Sequence, residues 1–148
     1  MNRFQITRTG TYLTVQDWGR FHYQHLGISP SGIMDQRIPE ALAKVIPHHQ
    51  NQFLEFAYVG PSLKVEQGAI KVSVGGQCNI FVQKNNNTQI EHAPYTSINL
   101  FEGDELTIHN TIDSVYGYIA FENGLGLDSC LQSFATDTKA QIGSINRP

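Results

Sequence analysis

Short apolar runs, each closed by turn-forming residues, are the feature that most constrains how this 148-residue chain can fold. Runs of roughly four to eight residues are typical of β-strands, whereas a helix needs a longer periodic segment. The run around Leu106 and Ile108 alternates apolar with polar residues, as in a strand with one buried face. The predicted strands are Tyr12–Val15, Phe53–Tyr58, Ser62–Val65, Ile70–Val74, Asn79–Lys84, Tyr95–Leu100, Glu105–His109 and Ser114–Phe121. So many short strands at close spacing predict a mainly β fold, a closed or nearly closed β-barrel.

Turn residues and one helix complete the predicted fold. Asn85–Asn87 is predicted to be a turn, and Phe101–Asp104 a hairpin turn between the strands on either side of it. A helix is predicted between Asp35 and Ile46, with Asp35 as N-cap and Pro47 ending it. Pro39 leaves open a start nearer that residue, with a different cap. The apolar stripe of the helix would consist of Ile38, Leu42 and Val45 or Ile46.

Composition and charge exclude several classes of protein. The formal net charge is −3 and the ten Lys and Arg are scattered, so neither a nucleic-acid surface nor an anionic membrane is an expected partner. No apolar run approaches the roughly 20 residues that cross a bilayer, and the first ten residues lack the apolar stretch of a secretory signal. Cys78 and Cys130 form no metal-binding pair of close spacing and are expected to stay reduced. These features predict a cytoplasmic protein.

Polar side chains are concentrated in the glycine-punctuated segment from Thr14 to Asp35. Arg20 offers a planar fork for a carboxylate, and Asp17 could orient that arginine or act as an acid or base. Asp17 and Arg20 are therefore the candidate catalytic residues, although they could instead simply pair with each other. The candidate substrate-binding residues are Gln16, Gln24, Ser31 and Asp35. We expect the loop from Gln16 to Asp35 to fold over the barrel mouth, so that these side chains converge on one small cavity.

The same segment resembles the N-terminal signature of a known family. This family includes the C subunit of 5-oxoprolinase, allophanate hydrolase subunit 2 and the carboxyltransferase region of urea amidolyase. The matching residues are Thr14–Asp17, Gly19–Arg20, Tyr23–Gly27, Ser31–Gly32 and Asp35. Weaker agreement follows at Leu54–Glu55, Gly60–Leu63, Gly75–Gly76, Glu102–Leu106 and Tyr118–Ala120. The resemblance covers about Phe4 to Gly143.

The resemblance implies a cyclophilin-like β-barrel with one short helix. It implies a single carboxyltransferase-like domain over residues 1–148, the N-terminal half of the family's full-length chain. The implied function is that of a subunit of an ATP-dependent hydrolase that cleaves amides or lactams, of the 5-oxoprolinase or allophanate hydrolase type. The 5-oxoprolinase reaction would open 5-oxoproline to glutamate.

Partner subunits would supply the cofactors. The implied partner is the B subunit of 5-oxoprolinase, or a KipI-like (kinase-inhibitor-like) subunit, and the ligand of the complex a small-molecule substrate. No GxxxxGK[ST] phosphate loop is present, and neither Met1 nor Met34 adjoins a lysine as in a biotin carrier. We therefore expect no cofactor on this chain, with ATP and biotin entering through partner subunits.

A departure from the family pattern keeps an alternative open. Where family members carry Gly-Ser-Arg-Ser-Thr, this chain has Gln132–Thr136, with Phe134 in place of the arginine. Loss of a guanidinium from a candidate anion site is not conservative. The alternative is a non-catalytic or truncated paralogue that acts as a partner-binding or regulatory module, and self-association into a homo-oligomer is also left open.

Three further observations yield expectations. His22 and His25 are three residues apart, but no third ligand is evident, so no metal site is predicted. His48 and His49 are expected in a solvated loop. Glu55 is interpreted as an edge-facing carboxylate, with a buried, hydrogen-bonded carboxylate of raised pKa as the alternative.

Overall fold

The structure is a computed structural model that describes residues 1–143. Within that range the chain forms ten β-strands, one α-helix and one 3₁₀ turn at Gln24–Leu26. The strands are β1 (Arg3–Arg8), β2 (Leu13–Gln16), β3 (Phe53–Ala57), β4 (Ser62–Gln67), β5 (Ala69–Gly75), β6 (Cys78–Gln83), β7 (Gln89–His92), β8 (Ile98–Phe101), β9 (Glu105–Thr111) and β10 (Tyr116–Phe121). The helix is α1 (Arg37–Val45). The predicted mainly β fold with one short helix is confirmed.

The strands form two five-stranded antiparallel sheets. Sheet A has the order β1-β4-β9-β6-β7, and sheet B has the order β2-β3-β10-β5-β8. Alternate residues of both sheets point between them and form the main core, because successive side chains of a strand face opposite sides. Fully buried members of this core include Val15, Val74 and Leu100 of sheet B, and Leu63, Ile80 and Ile108 of sheet A.

Helix α1 covers part of the outer face of sheet B. Ile38, Leu42 and Ile46 are buried against Phe53, Tyr118 and Ala120, which confirms the predicted apolar stripe. The predicted N-cap was wrong: the cap is Gln36, which already has helical backbone angles. The Asp35 carboxylate still accepts from the Arg37 N–H at 3.2 Å, so it satisfies one donor of the first turn. No helix among residues 1–143 is both long and apolar enough to pass through a membrane.

Two strands escaped the sequence analysis, and one turn was misread. β1 and β7 are edge strands of sheet A whose residues are mostly exposed or half-buried, so they lack an apolar run. Phe101–Asp104 does form a turn, but β8 and β9 do not pair across it. β8 pairs with β5 in sheet B, whereas β9 pairs with β4 and β6 in sheet A. The predicted hairpin is therefore a connection between the two sheets, and Asn85–Asn87 is a turn as predicted.

Candidate functional site

A cleft lies on the part of sheet B that α1 leaves uncovered. Val15 and Leu54 point into the main core, so their neighbours Thr14 and Glu55 point to the outer face. Thr14, Glu55 and Tyr118 lie side by side across β2, β3 and β10. Above this row the chain encloses a cleft of about 250 Å³. Its lining residues are Tyr12, Gln16, Ser29, Ser31, Gly32, Met34, Glu55, Thr136, Asp137, Thr138 and Lys139.

Gln16 joins the two walls of the cleft. Its Nε2 donates to the Thr136 carbonyl at 3.3 Å and to Thr14 Oγ1 at 3.0 Å. Its Oε1 accepts from the Gly32 N–H at 3.1 Å. The buried amide is thus occupied by protein groups on both sides, and its function in this geometry is to hold the 29–34 and 136–139 segments together. Of the other predicted substrate-binding residues, Ser31 also lines the cleft.

The Asp17 side chain lies outside the cleft and contacts Ser133 and Phe134, in the segment that leads into one of the cleft walls. Its carboxylate accepts from Ser133 Oγ at 2.8 and 2.9 Å, from the Phe134 N–H at 2.8 Å and from the Gly19 N–H at 2.9 Å. Phe134, which stands where the resemblance led us to expect an arginine, therefore contributes its backbone N–H here. Asp17 is buried and is not part of the cleft lining.

Arg20 holds the same segment from a second direction. Only 1% of its surface is exposed, its Nε donates to the Cys130 carbonyl at 3.1 Å and its Nη2 donates to the Ala135 carbonyl at 2.8 Å. Its Nη1 has no hydrogen-bond partner among residues 1–143. No ion pair joins Arg20 to Asp17 in that part of the chain. The two candidate catalytic residues are therefore both placed to position a wall of the cleft.

Gln24 and Asp35 lie away from the cleft. Gln24 is exposed in the 3₁₀ turn. Asp35 pairs with Arg37 at 3.1 Å near the start of α1, and the hydrogen bond from that guanidinium lowers the pKa of its carboxyl. The segment from Gln16 to Asp35 thus brings Gln16 and Ser31 to the cleft and leaves the other four predicted side chains outside it.

Glu55 is the cleft-lining residue that the sequence analysis misplaced. It is not edge-facing: β3 lies between β2 and β10, and only 1% of the Glu55 surface is exposed. Its Oε2 accepts from the Tyr118 hydroxyl at 2.6 Å and from the Met34 N–H at 2.9 Å. Oε1 has no hydrogen-bond partner among the described residues, and Glu55 lines the cleft. Burial raises the pKa of this carboxyl, although both donors oppose the shift by favouring the charged form.

Tyr118 links this carboxylate to the turn before α1. Its hydroxyl donates to Glu55 and accepts from the N–H groups of Asp35 at 2.9 Å and Met34 at 3.1 Å. Burial raises the pKa of Tyr118, and the hydrogen bond to Glu55 adds to the shift, so the phenol keeps its proton and remains a donor. The carboxylate is therefore held in one orientation by the sheet and the turn together.

A signal for Glu55 was present in the sequence. It is the one charged residue in the strand Phe53–Ala57, all five residues of which are buried. A carboxylate in such a run is either paired or functional, because burying it alone is costly. His49 was also misplaced: it is buried, its ring lies 4.8 Å from that of Phe53, and its Nδ1 accepts from the Asn51 N–H at 2.9 Å. Its contacts are structural and it lies outside the cleft lining.

Comparison with known proteins gives consistent matches. The family model described as carboxyltransferase domain, subdomain A and B, matches residues 26–148. Urea amidolyase of Lachancea kluyveri is 28% identical over 147 residues, which cover 97% of this chain and 8% of that protein. The C subunit of 5-oxoprolinase from Haemophilus influenzae is 28% identical over 136 residues, which cover 89% of this chain and 41% of the relative.

Solved structures agree in fold. The crystal structure of the K. lactis urea amidolyase superposes with a TM-score of 0.85 at 25% identity, over 97% of this chain and 8% of that one. The Kluyveromyces lactis urea carboxylase gives the same TM-score and identity, and the match covers 97% of this chain and 12% of that one. The present chain thus spans less than half the length of each of these relatives.

Proposed function

The chain belongs to the carboxyltransferase domain family of the subdomain A and B type, and on that basis we propose that it is a carboxyltransferase-like subunit of an ATP-dependent hydrolase. The proposed substrate is a small amide or lactam, as the names of the 5-oxoprolinase and urea amidolyase relatives suggest. We also propose that residues 1–148 form one carboxyltransferase-like domain, equivalent to the N-terminal half of a full-length subunit.

The observation that carries this proposal is the cleft on sheet B. Its volume of about 250 Å³ is below the range of roughly 300–1,000 Å³ of drug-sized sites, so it suits a small ligand. Its lining combines a carboxylate (Glu55), an amine (Lys139) and hydroxyls such as that of Ser31. Such groups can recognise the N–H and the carboxylate of a small amide or lactam.

The predicted residues divide into two roles under this proposal. Ser31 contacts the substrate from the cleft wall. Gln16, Asp17 and Arg20 are positioning residues, because their hydrogen bonds end on the segments that enclose the cleft. Gln24 and Asp35 lie outside the cleft, and we assign them no contact with the substrate.

ATP and biotin chemistry would be brought by partner subunits. The Haemophilus influenzae relative is named as one subunit of 5-oxoprolinase, so it belongs to a multi-subunit enzyme. The proposed partner here is the equivalent of the B subunit of 5-oxoprolinase, a KipI-like subunit. This chain would then contribute the cleft, while the partners supply the nucleotide site and the carboxyl donor.

Reconstitution tests the proposal directly. The full-length protein is co-expressed with the proteins encoded beside it, and ATP hydrolysis is measured together with glutamate formation from 5-oxoproline or ammonia formation from urea. We expect ATP-dependent turnover of one substrate, and none from the same mixture without this chain. An assembled complex that hydrolyses neither substrate would refute the proposal.

A further inference from the structure

We propose that Glu55 is the general base of the cleft and accepts, through Oε1, the proton of the amide or lactam nitrogen of the substrate. This inference rests on the proposed function and assigns a catalytic residue within the same site. It identifies the substrate class as a small molecule that carries an acidic N–H group, and an anionic group on that molecule would be matched by Lys139.

The two carboxylate oxygens of Glu55 differ in their hydrogen bonding. Oε2 is occupied by the Tyr118 hydroxyl at 2.6 Å and the Met34 N–H at 2.9 Å. Oε1 has no partner among residues 1–143, although the residue is 1% exposed and lines the cleft. Oε1 is not enclosed by protein atoms, so it is accessible from the cleft and can accept a hydrogen bond from a substrate N–H. The two donors on Oε2 fix the carboxylate, so that Oε1 remains for the ligand.

A purely structural role would not require a carboxylate at this position. A glutamine could accept from Tyr118 and Met34 through its amide oxygen without the cost of burying a charge. The carboxylate adds one property, the ability to gain and lose a proton. Burial raises the pKa of Glu55, which makes its carboxylate a stronger base than an exposed one.

Other charged and titratable groups surround Glu55. Those of the sheet and the cleft walls are Tyr12, Tyr58, Tyr116, Tyr118, Asp137 and Lys139. The Asp137 Oδ1 accepts from the backbone N–H groups of Lys139 and Ala140, each at 3.0 Å. Among residues 1–143, Lys139 is the one cationic side chain in the lining. An anionic group of the substrate would therefore dock at Lys139, with the N–H directed to Glu55.

The proton transfer balances without a further reagent. The N–H bond breaks, an O–H bond forms at Oε1, and the electron pair stays on nitrogen. The nitrogen can then attack the carbon of a carboxyl donor bound by a partner subunit. As the new N–C bond forms, the bond between that carbon and the donor breaks with its electron pair, and the donor takes back the proton from Glu55.

A carboxyl ¹³C NMR titration tests the site without requiring turnover. The full-length protein is labelled at glutamate side chains, and Glu55→Gln identifies the Glu55 signal. We expect the Glu55 signal to titrate at higher pH than glutamate in an unstructured peptide, because burial raises the pKa of Glu55, and to shift on addition of 5-oxoproline or urea. A Glu55 signal that titrates as in such a peptide and responds to neither compound would overturn the proposal.

The reconstituted complex tests the catalytic role. We expect Glu55→Gln to lower kcat by about 100-fold or more, with a smaller effect on KM, and to abolish the rise of kcat with pH through the pKa of Glu55. Glu91→Gln is the matched control and should leave both unchanged. A Glu55→Gln complex with the wild-type rate and pH profile would overturn the inference. A wild-type complex without any turnover would instead contradict the proposed function, and the NMR titration would still decide the role of Glu55.

Discussion

At the scale of single residues, Glu55 makes the stability of the protein depend on pH. Because burial raises its pKa in the folded state, its stabilising contribution is complete below its pKa in the unfolded chain and is lost as pH rises through the folded pKa. Glutamine does not titrate, so it acquires no buried charge as pH rises. We therefore expect the Tm of Glu55→Gln to exceed that of the wild type at pH 8 and the difference to shrink at pH 4, measured by circular dichroism. Glu91→Gln should show no such trend, and a pH-independent difference for Glu55→Gln would contradict the argument.

Asp17 is, with Arg20, one of the two residues that hold the 130–136 segment in place. Its carboxylate accepts charge-assisted hydrogen bonds from Ser133 Oγ and the Phe134 N–H in a buried setting. Hydrogen bonds to charged groups contribute about 1.5–3 kcal/mol each, so Asp17→Asn should lower the free energy of unfolding by about 2 kcal/mol. Urea denaturation measures this value. The exposed Asp113→Asn is the control, and equal stabilities for the two variants would show that Asp17 does not hold the segment.

At the scale of elements, α1 and sheet B approach each other so closely that only glycine fits at position 75. A Cβ there would lie 2.6 Å from Ile38 Cγ2 and 2.9 Å from Leu42 Cγ. Gly75 is also the neighbour of Tyr118 on β10, and Tyr118 in turn lies beside Glu55 on β3. An overpacked residue at this point would therefore disturb both the helix and the hydrogen bonds that orient Glu55.

Gly75→Ala is consequently expected to destabilise the protein by about 1–3 kcal/mol, the usual cost of overpacking. The double variant Gly75→Ala/Ile38→Ala should lose less stability than the sum of the two single variants, because the smaller side chain makes room for the new methyl group. Chemical denaturation of all four proteins measures this coupling. Strictly additive losses would mean that the helix does not limit residue 75.

The elements that could be predicted are those whose sequence pattern reflects their burial. β9 alternates because one of its faces lies in the core, and α1 carries one apolar stripe because one of its faces lies on sheet B. β7 lacks such a pattern because it is an edge strand whose residues are mostly exposed. Its strand conformation is stabilised by pairing with β6. The turn at Phe101–Asp104 was wrongly predicted to be a hairpin turn. The strands on either side of it, β8 and β9, pair with strands that are distant in sequence, and a local pattern does not reveal those partners.

The candidate site was harder to predict than the fold because its hydrogen bonds link residues that are far apart in sequence. Asp17 and Ser133 are 116 positions apart, and nothing local to Asp17 indicates that its carboxylate is occupied there. Gln16 and Ser31, two of the predicted substrate-binding residues, line the cleft because they lie where the loop leaves and returns to the outer face of sheet B. Glu55 was visible as a lone charge in an apolar strand, but its partner Tyr118 comes from a strand 63 positions away.

At the scale of the whole molecule, one exposed apolar side chain lines the cleft, and two others lie beside the neighbouring depression. Met34 is 64% exposed and Tyr58 is 58% exposed, and Val115 is also exposed. Met34 lines both the cleft and a shallow depression that it shares with Val115, whose carbonyl accepts from the Tyr58 N–H at 2.8 Å. We call these three residues the cleft rim. Exposed apolar side chains bordered by polar and charged residues, here Asp35, Arg37 and Asp113, are typical of an interaction surface.

The cleft rim is therefore where we expect the proposed partner subunit to bind, which would also close the cleft against water. A charge placed at the centre of an apolar interface must lose its hydration, so Met34→Asp should weaken the complex by about tenfold or more. Because Met34 is exposed in the free subunit, the same substitution should leave that subunit folded. Ile90→Asp is the matched control, since Ile90 is 39% exposed on β7 at the far edge of sheet A. Isothermal titration calorimetry with the purified partner measures both dissociation constants. If Ile90→Asp weakens binding and Met34→Asp does not, the partner binds on sheet A and the cleft must be closed by something other than that subunit.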